Sequence, residues 1–495
     1  RGWRDQLGVW VYMNLTLSLG VNGGGAAAKK RKVMDGAGDV GVLGAGDGGD
    51  RSTVMRLLQA RDRMVKVELD HDDGDVSDRG ASPLMRLLLS SAVAGEVGDT
   101  HAAAVALQEV YRQASFRGGD PAQRVAAYFA DALASRLLLP PPAKAKTTTT
   151  TREEQFLAFT MFYQASPFYQ FAHFTANQAI VEAFEAGGRR RLHVVDFDVS
   201  FGFQWPSLIQ SLSDAATTSS SQSSQDDSGD CCDEPVSLRI TGFGASADEL
   251  RDTEARLARF ADGCPNLRFE FEGVVNNGPE DGRHERIKTD PAATVVVNLV
   301  FPAAQNARAS SWDPRSALAH IRSLNPSLVF LIDKVDEGSG GGKGAGRCGS
   351  ASLLPRFAAN LRYYAAVFES LHECLPADSA ERIAIERDHL GVEISDAMAS
   401  LDRRRHAGDR AADQMSRGWK ERLESAGFED ARLSSRTVSQ AKLLLKMKSG
   451  GCGGGGFRVT EAGDGKAMAL GWRDRALITA TAWRPCRRSV GKNEP

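Results

Sequence analysis

The chain has 495 residues, with 61 Lys and Arg against 63 Asp and Glu, a net charge of −2, 42% hydrophobic residues and 50 glycines. That is long enough to bury a sizeable core, and it excludes a protein coated with positive charge, such as a histone-like DNA binder, while leaving room for a local basic patch. No uninterrupted apolar run approaches the roughly 20 residues needed to cross a bilayer, and the seven cysteines (231, 232, 264, 348, 374, 452 and 486) lack paired C-x-x-C spacing, so they read as reduced thiols of an intracellular protein.

The chain begins at Arg1, and Met13 is a candidate initiator, so residues 1–12 are left out of the fold reasoning. Residues 1–80 are expected to form a disordered tail. From about 20 to 80 the chain is rich in Gly, Asp and Arg and holds no apolar period, so it cannot offset its chain entropy. Within it, Lys29, Lys30, Arg31 and Lys32 form a compact basic cluster that an import receptor can read or that binds nucleic acid nonspecifically, unless it is only a solvated charge run. Leu15, Leu17 and Leu19 alternate with small polar residues, and an extended peptide of this kind suits a hydrophobic groove.

Order is expected from Pro83. Leu84, Leu87 and Leu88 begin a helical stripe; Leu107, Val110, Tyr111 and Ala114 continue it; Val125, Phe129, Ala132 and Leu133 form another, with Asp120-Pro121 as a helix start. Leu84, Leu87 and Leu88 also fit an L-x-x-L-L box, a spacing that a leucine-rich helical core generates by itself. A Pro-Pro-Pro and Thr-rich linker follows at 140–151. Beyond Phe156 a helix carrying Phe171, Phe174, Ile180, Val181 and Phe184 ends at Gly187-Gly188, and Leu192, His193, Val194, Val195 and Asp196 then form a short buried strand. Further strands are predicted at 236–242, 267–272, 294–300 and 327–332, with helices between several of them. One is 248–261, with Leu250, Glu254, Leu257 and Ala261 on one face. This alternation implies a largely parallel sheet covered on both sides. Strands predicted at 440–447, 457–461, 467–472 and 476–483 follow one another through turns alone, an antiparallel finish. Three low-complexity inserts, 213–234, 337–350 and 449–456, are expected to run over the surface.

Asp196 ends its strand where open α/β sheets place ligand-binding groups. Its simplest role is to accept hydrogen bonds from loop amides; the alternative is a cofactor contact. The loop that follows has one glycine, Gly202, between Phe201 and Phe203, and those rings are expected to fill the space a cofactor needs. Gln204, Trp205 and Pro206 open the next helix, with Trp205 as a packing residue or partner contact. There is no H-E-x-x-H, G-x-S-x-G or P-loop signature. His173 reads as a helix residue packed on the core rather than a base, and His193 has no partner visible in sequence. Trp472, Arg473 and Asp474 form a turn that either seals the sheet edge or meets a partner. The groups Arg189–Arg191 and Arg403–Arg405 are either phosphate contacts or solvated surface.

The run FAHFTANQAI (171–180) followed by LHVVDFDVSFGFQWPSLIQSL (192–212) resembles the GRAS family of plant transcriptional regulators, the SCARECROW-like proteins. Residues 84–139 are similar to its first leucine-rich region, 156–212 to its VHIID region (the motif itself being LHVVD, 192–196), and 243–275 to its second leucine-rich region. Asn325-Pro326, RYYAAVFESL (362–371) and Arg382, Glu386, Gly391 and Glu393 resemble the PFYRE blocks within 294–393. The terminal block, 394–484, closes on LGWRDRALITATAW with Trp472 and Trp483, and carries Thr481-Ala482-Trp483 where the family has Ser-Ala-Trp. The resemblance spans 81–484 and leaves 485–495 as a tail.

What the resemblance implies is an α/β, Rossmann-like, methyltransferase-related fold: a mostly parallel sheet with antiparallel C-terminal strands and an N-terminal helical cap. It implies a nuclear transcriptional regulator of plant growth or development that uses no cofactor and is not an enzyme. Such a regulator works as a scaffold for zinc-finger DNA-binding proteins and other GRAS proteins. The Leu15, Leu17 and Leu19 pattern resembles a plant repression motif that recruits co-repressors. A direct, sequence-specific DNA binder is the alternative, and a methyltransferase-like enzyme is disfavoured by the Phe201-Gly202-Phe203 loop.

Overall fold

The structure is a computed structural model that describes residues 81–137, 150–222, 235–264, 266–275, 287–302, 314–335, 354–406, 418–449 and 455–486. The basic cluster at 29–32, the leucines at 15–19 and the expected disordered tail lie outside those residues. The chain divides into two compact units, 1–148 and 149–495.

The first unit contains α1 (Ala81–Glu96), α2 (Thr100–Gln113) and α3 (Pro121–Leu137). Leu84, Leu88, Leu107, Val110, Tyr111, Val125, Phe129 and Leu133 are buried, so the leucine-rich stripes are its core, while Leu87 is only partly covered. The Asp99 carboxylate caps α2 by accepting from the Ala102 amide at 2.9 Å, and Asp120 does the same for α3 through Gln123 at 2.8 Å.

The second unit opens with α4 (Arg152–Ala165) and α5 (Pro167–Gly187), two helices where the sequence suggests one. Ser166 ends the first and caps the second, and Pro167 sits where no amide hydrogen is missed. Gly188, at φ +59°, closes α5 in the left-handed conformation that glycine adopts without penalty. Then follow β1 (Arg191–Asp196), α6 (Trp205–Gln222), β2 (Val236–Gly244), α7 (Ala247–Ala261), β3 (Leu267–Val275), β4 (Ala293–Val300), α8 (Pro314–Ser323) and β5 (Leu328–Lys334). These five strands are parallel, in the order β3-β2-β1-β4-β5. The expected strand positions and the Rossmann-like arrangement are both present.

The chain continues through α9 (Leu354–Cys374), α10 (Ala380–Ile385), a π-helical turn (Glu386–Leu390), α11 (Gly391–His406), α12 (Trp419–Ser425), β6 (Phe428–Ala431), α13 (Ser435–Ser449), β7 (Phe457–Ala462), β8 (Ala467–Trp472) and β9 (Arg475–Pro485). Strands β9, β8 and β7 extend the sheet beyond β5 in antiparallel fashion, and β6 pairs with β9.

Four points differ from the sequence reading. The segment 440–447 is not a strand but lies inside α13: Val438, Ala441, Leu444 and Leu445 are buried at helical spacing, and this period of three and four overrides what reads as a short apolar run. The short strand β6 was not anticipated. On α7 the buried face uses Thr253, whereas Glu254 is exposed. The first insert is also shorter than expected as a loop, because α6 carries on to Gln222.

One sheet face packs Val195, Val297, Leu299, Val329, Leu331 and Trp483 against Leu318 and Ile321 of α8 and Trp419 and Leu423 of α12. Alternate residues point to the other face, where α5 lies along β4 and β5. Asp196 and Asn298, paired across β1 and β4, belong to that second set.

Candidate functional site

The carboxyl ends of β1, β2 and β4 meet at a cavity of about 290 Å³, closed on its other sides by residues of α4, α5, the π-helical turn and α11. This is the crevice where open α/β sheets bind ligands.

Its floor is a buried amide network. The Asn298 side chain donates to Asp196 Oδ1 at 3.2 Å and to Gln204 Oε1 at 3.1 Å; Gln204 donates to Asn177 Oδ1 at 3.1 Å, and Asn177 donates to the Gln204 carbonyl at 2.8 Å. The Asp198 amide donates to Asp196 Oδ1 at 3.3 Å, and the Ser200 amide to Asp198 Oδ1 at 3.1 Å. Asp196 thus accepts a loop amide, as its sequence context suggested, and also holds β4. Burial pushes its carboxyl up to about 7, against the pull of Asn298 and the Asp198 amide. Burial and the neighbouring Asp196 push Asp198 well above the ordinary carboxylate range.

The loop between β1 and α6 turns through Ser200 (φ +47°) and Gly202 (φ +72°), and Phe301 after β4 also has positive φ (+52°). A Cβ on Gly202 would stand 2.7 Å from Thr253 Cγ2, so glycine is required both by the backbone and by the approach of α7. Phe201 and Phe203 do not plug the crevice. They lean on α4, with ring centroids 5.2 and 5.7 Å from Phe156 and 5.3 and 5.2 Å from Phe159. They form a wall and leave the cavity open.

A second polar cluster forms the opposite side. Lys334 Nζ, at the end of β5, lies 2.8 Å from Glu393 Oε2 and over the rings of Tyr363 and Tyr364. Tyr169 hydroxyl is 3.0 Å from His389 Nε2 and 3.4 Å from Glu393 Oε1. Burial alone would raise the Glu393 carboxyl, and Lys334, His389 and Tyr169 together more than reverse that, so Glu393 is held below its ordinary range. Burial lowers His389, which stays neutral between Phe159, Phe162 and Tyr169. The π-helical turn that carries His389 follows a fully buried ion pair, Arg382 with Glu386 at 3.0 Å. Extra residues of this kind re-aim side chains toward sites.

The other singled-out residues lie as follows. Leu192, His193, Val194, Val195 and Asp196 are all buried, as are Gln204, Trp205 and Pro206. His193 Nε2 is 2.9 Å from Thr241 Oγ1, a partner supplied by β2. His173 is buried on α5 beside Tyr163, and burial depresses its pKa to about 3. The Trp472 indole donates to Glu369 at 3.2 Å and Arg473 also pairs with Glu369, so this turn is tied to α9. Trp483 donates to Thr481 Oγ1 at 2.9 Å. Leu84 and Leu88 are buried within the first unit.

Sequence reasoning missed Asn298, Tyr169, Lys334 and His389. Asn298 carried a signal: it is the polar residue in the otherwise apolar run 293–300, level with Asp196. Tyr169 and Lys334 carried none, since their partners are far away in sequence, and for His389 only Glu393, four residues on, is local.

The loop carries one glycine where a methyltransferase loop would be glycine-rich, Phe201 and Phe203 border the crevice, and the cavity lies at the lower end of the roughly 300–1,000 Å³ of small-molecule pockets.

The GRAS domain family matches residues 84–484. Scarecrow-like protein 23 of Arabidopsis thaliana is 30% identical over 429 residues, covering 85% of this chain and 94% of that protein. Protein SCARECROW 1 of Oryza sativa subsp. indica is 33% identical over 417 residues, which is 82% of this chain but 56% of that longer protein. The chain similarly spans about half of Scarecrow-like protein 28 of Arabidopsis thaliana and of Protein SCARECROW of Ipomoea nil. Among solved structures, SCL7 of Oryza sativa superposes with a TM-score of 0.59 at 30% identity, covering 81% of this chain and 99% of that one. The sheet order, the buried LHVVD strand and these matches agree: the chain belongs to the GRAS domain family, the SCARECROW-like regulators of plant transcription.

Proposed function

We propose that this protein is a nuclear, non-enzymatic regulator of plant growth or development that acts as a protein-interaction scaffold. Its partners are DNA-binding transcription factors of the zinc-finger type and other GRAS proteins, and they carry the sequence specificity. The observation that favours this over direct DNA reading is the use made of the Arg189–Arg191 group. Arg189 donates to the Pro291 carbonyl at 2.9 Å and to the Ala293 carbonyl, and Arg191 pairs with Asp290 at 2.9 Å. Guanidinium groups engaged by their own chain are poor phosphate contacts, and phosphate contacts supply most nonspecific DNA affinity.

Fluorescence anisotropy of the full chain against a random duplex pool across a salt series tests this reading. We expect no binding, or binding that disappears with salt and shows no sequence preference. Selected sequences bound well above the pool at physiological salt would make it a direct DNA reader. Lys29, Lys30, Arg31 and Lys32 supply nuclear import in this reading, and Leu15, Leu17 and Leu19 recruit a co-repressor. A fluorescent reporter fused to residues 13–80 should leave the nucleus when the four basic residues become alanine; an unchanged distribution removes the import assignment.

A further inference from the structure

We propose that the cavity at the carboxyl ends of β1, β2 and β4 is a binding site for a small organic ammonium ion, an amine carrying a compact apolar or aromatic body. This goes beyond the scaffold reading and does not depend on it.

The first argument is charge. Around the cavity Glu249 is paired with Arg152, Asp388 with Arg387 at 2.6 Å and Glu393 with Lys334 at 2.8 Å. Asp196 and Asp198 are different. They sit two residues apart, at the end of β1 and in the loop after it, and among the described residues neither is in an ion pair; Asp196 accepts from Asn298 and the Asp198 amide with the Trp205 indole beside it, and Asp198 accepts from the Ser200 amide. A ligand that brings positive charge supplies what this wall lacks.

A buried ring nitrogen without a partner points the same way. His173 lines the same cavity, is 8% exposed, and its buried Nδ1 has no hydrogen-bond partner. Burial keeps the ring neutral, and a neutral imidazole carries one acceptor nitrogen. An ammonium group has three donors, enough for two carboxylates and an imidazole.

The third argument is the wall. Phe159, Phe197, Phe203, Phe243 and Phe301 all border the cavity, and aromatic faces attract cations while covering an apolar body. At about 290 Å³ the space suits a compact amine. With no ligand bound, burial leaves Asp196 and Asp198 holding protons more tightly than exposed carboxyls do. An ammonium ion would take over the proton's electrostatic role.

The test is calorimetry on the full chain with 2-phenylethylamine, cyclohexylamine and tryptamine. Two probes matched to 2-phenylethylamine accompany them: neutral 2-phenylethanol and anionic phenylacetate. At least one amine should bind with Kd below about 1 mM, its neutral counterpart at least tenfold more weakly, and the anion not at all. Asp198→Asn should weaken the amine tenfold or more and His173→Leu about threefold or more, whereas Asp248→Asn, on exposed α7 surface, should change nothing. If Asp198→Asn does not fold, the charge series on the parent and the His173→Leu variant still decide. Absence of binding by all three amines overturns the proposal. So does equal binding of the neutral or anionic probe, or amine binding indifferent to both cavity variants. S-adenosylmethionine binding that displaces the amines also overturns it, in favour of a nucleoside-cofactor site.

Discussion

In the parallel half of the sheet, β3-β2-β1-β4-β5, all strands run the same way, so the segments leaving β1, β2 and β4 emerge on one rim and converge on one cavity. In the antiparallel half, β9-β8-β7 with β6, successive strands reverse, turns fall at both ends, and the connections lock the sheet instead of shaping a shared mouth. The contents differ accordingly. The parallel rim buries carboxyls and amides at a cost in stability; the antiparallel half buries tryptophan and indole N–H groups with nearby acceptors. Topology alone therefore separates a region that can hold a ligand from one that holds the fold.

Three substitutions sharpen or break this contrast. Trp483→Ala should have the largest effect, a loss of about 3–5 kcal/mol of stability, because the ring is buried among Val329, Leu331, Trp419 and Phe428. A thermal midpoint within a degree or two of the parent would mean that the antiparallel half is not what secures the core.

Asp196→Asn should act in the opposite direction, and with pH. The folded carboxyl titrates at about 7 against an ordinary 3.8, so folding favours the protonated form. That stabilisation is fully present below about pH 4 and is lost as pH rises through 7, a change of at most roughly 4 kcal/mol. Asparagine keeps the acceptor for Asn298 and does not titrate. The variant's thermal midpoint should therefore gain on the parent's between pH 5 and pH 8. A gap that stays constant with pH would show that Asp196 is not held protonated by its burial.

Arg473→Ala should have the smallest effect, below about 1 kcal/mol, because its pairing with Glu369 lies at the surface. A larger loss in thermal midpoint would assign this turn a structural role beyond an exposed ion pair.

The parallel strands were legible in sequence because each is a short apolar run bounded by turn residues, and the helix 248–261 because its apolar residues recur at helical spacing. The segment 440–447 was misread because Leu443, Leu444 and Leu445 are consecutive. A short apolar run does not separate strand from helix, and only the packing of α13 against α5 and β7 settles it. At the site, Asp196, Gln204 and the Phe-Gly-Phe loop stood out as a motif. Asn298 could have been found by asking which polar residue a buried strand would set beside Asp196.

By itself the sequence determined the class of fold, the chain order of the parallel strands and the family, since these follow from local periodicity and from motifs read along the chain. It also determined that Phe201 and Phe203 flank a lone Gly202. Only the tertiary structure decided that those rings lean on α4, that His389 meets Tyr169 across 220 residues of chain, and that Asp196 and Asp198 share a cavity with neither in an ion pair among the described residues. The physical reason is range. Hydrophobic period and turn chemistry act over a few residues, whereas burial, pKa and the pairing of charges depend on what folding brings from elsewhere in the chain.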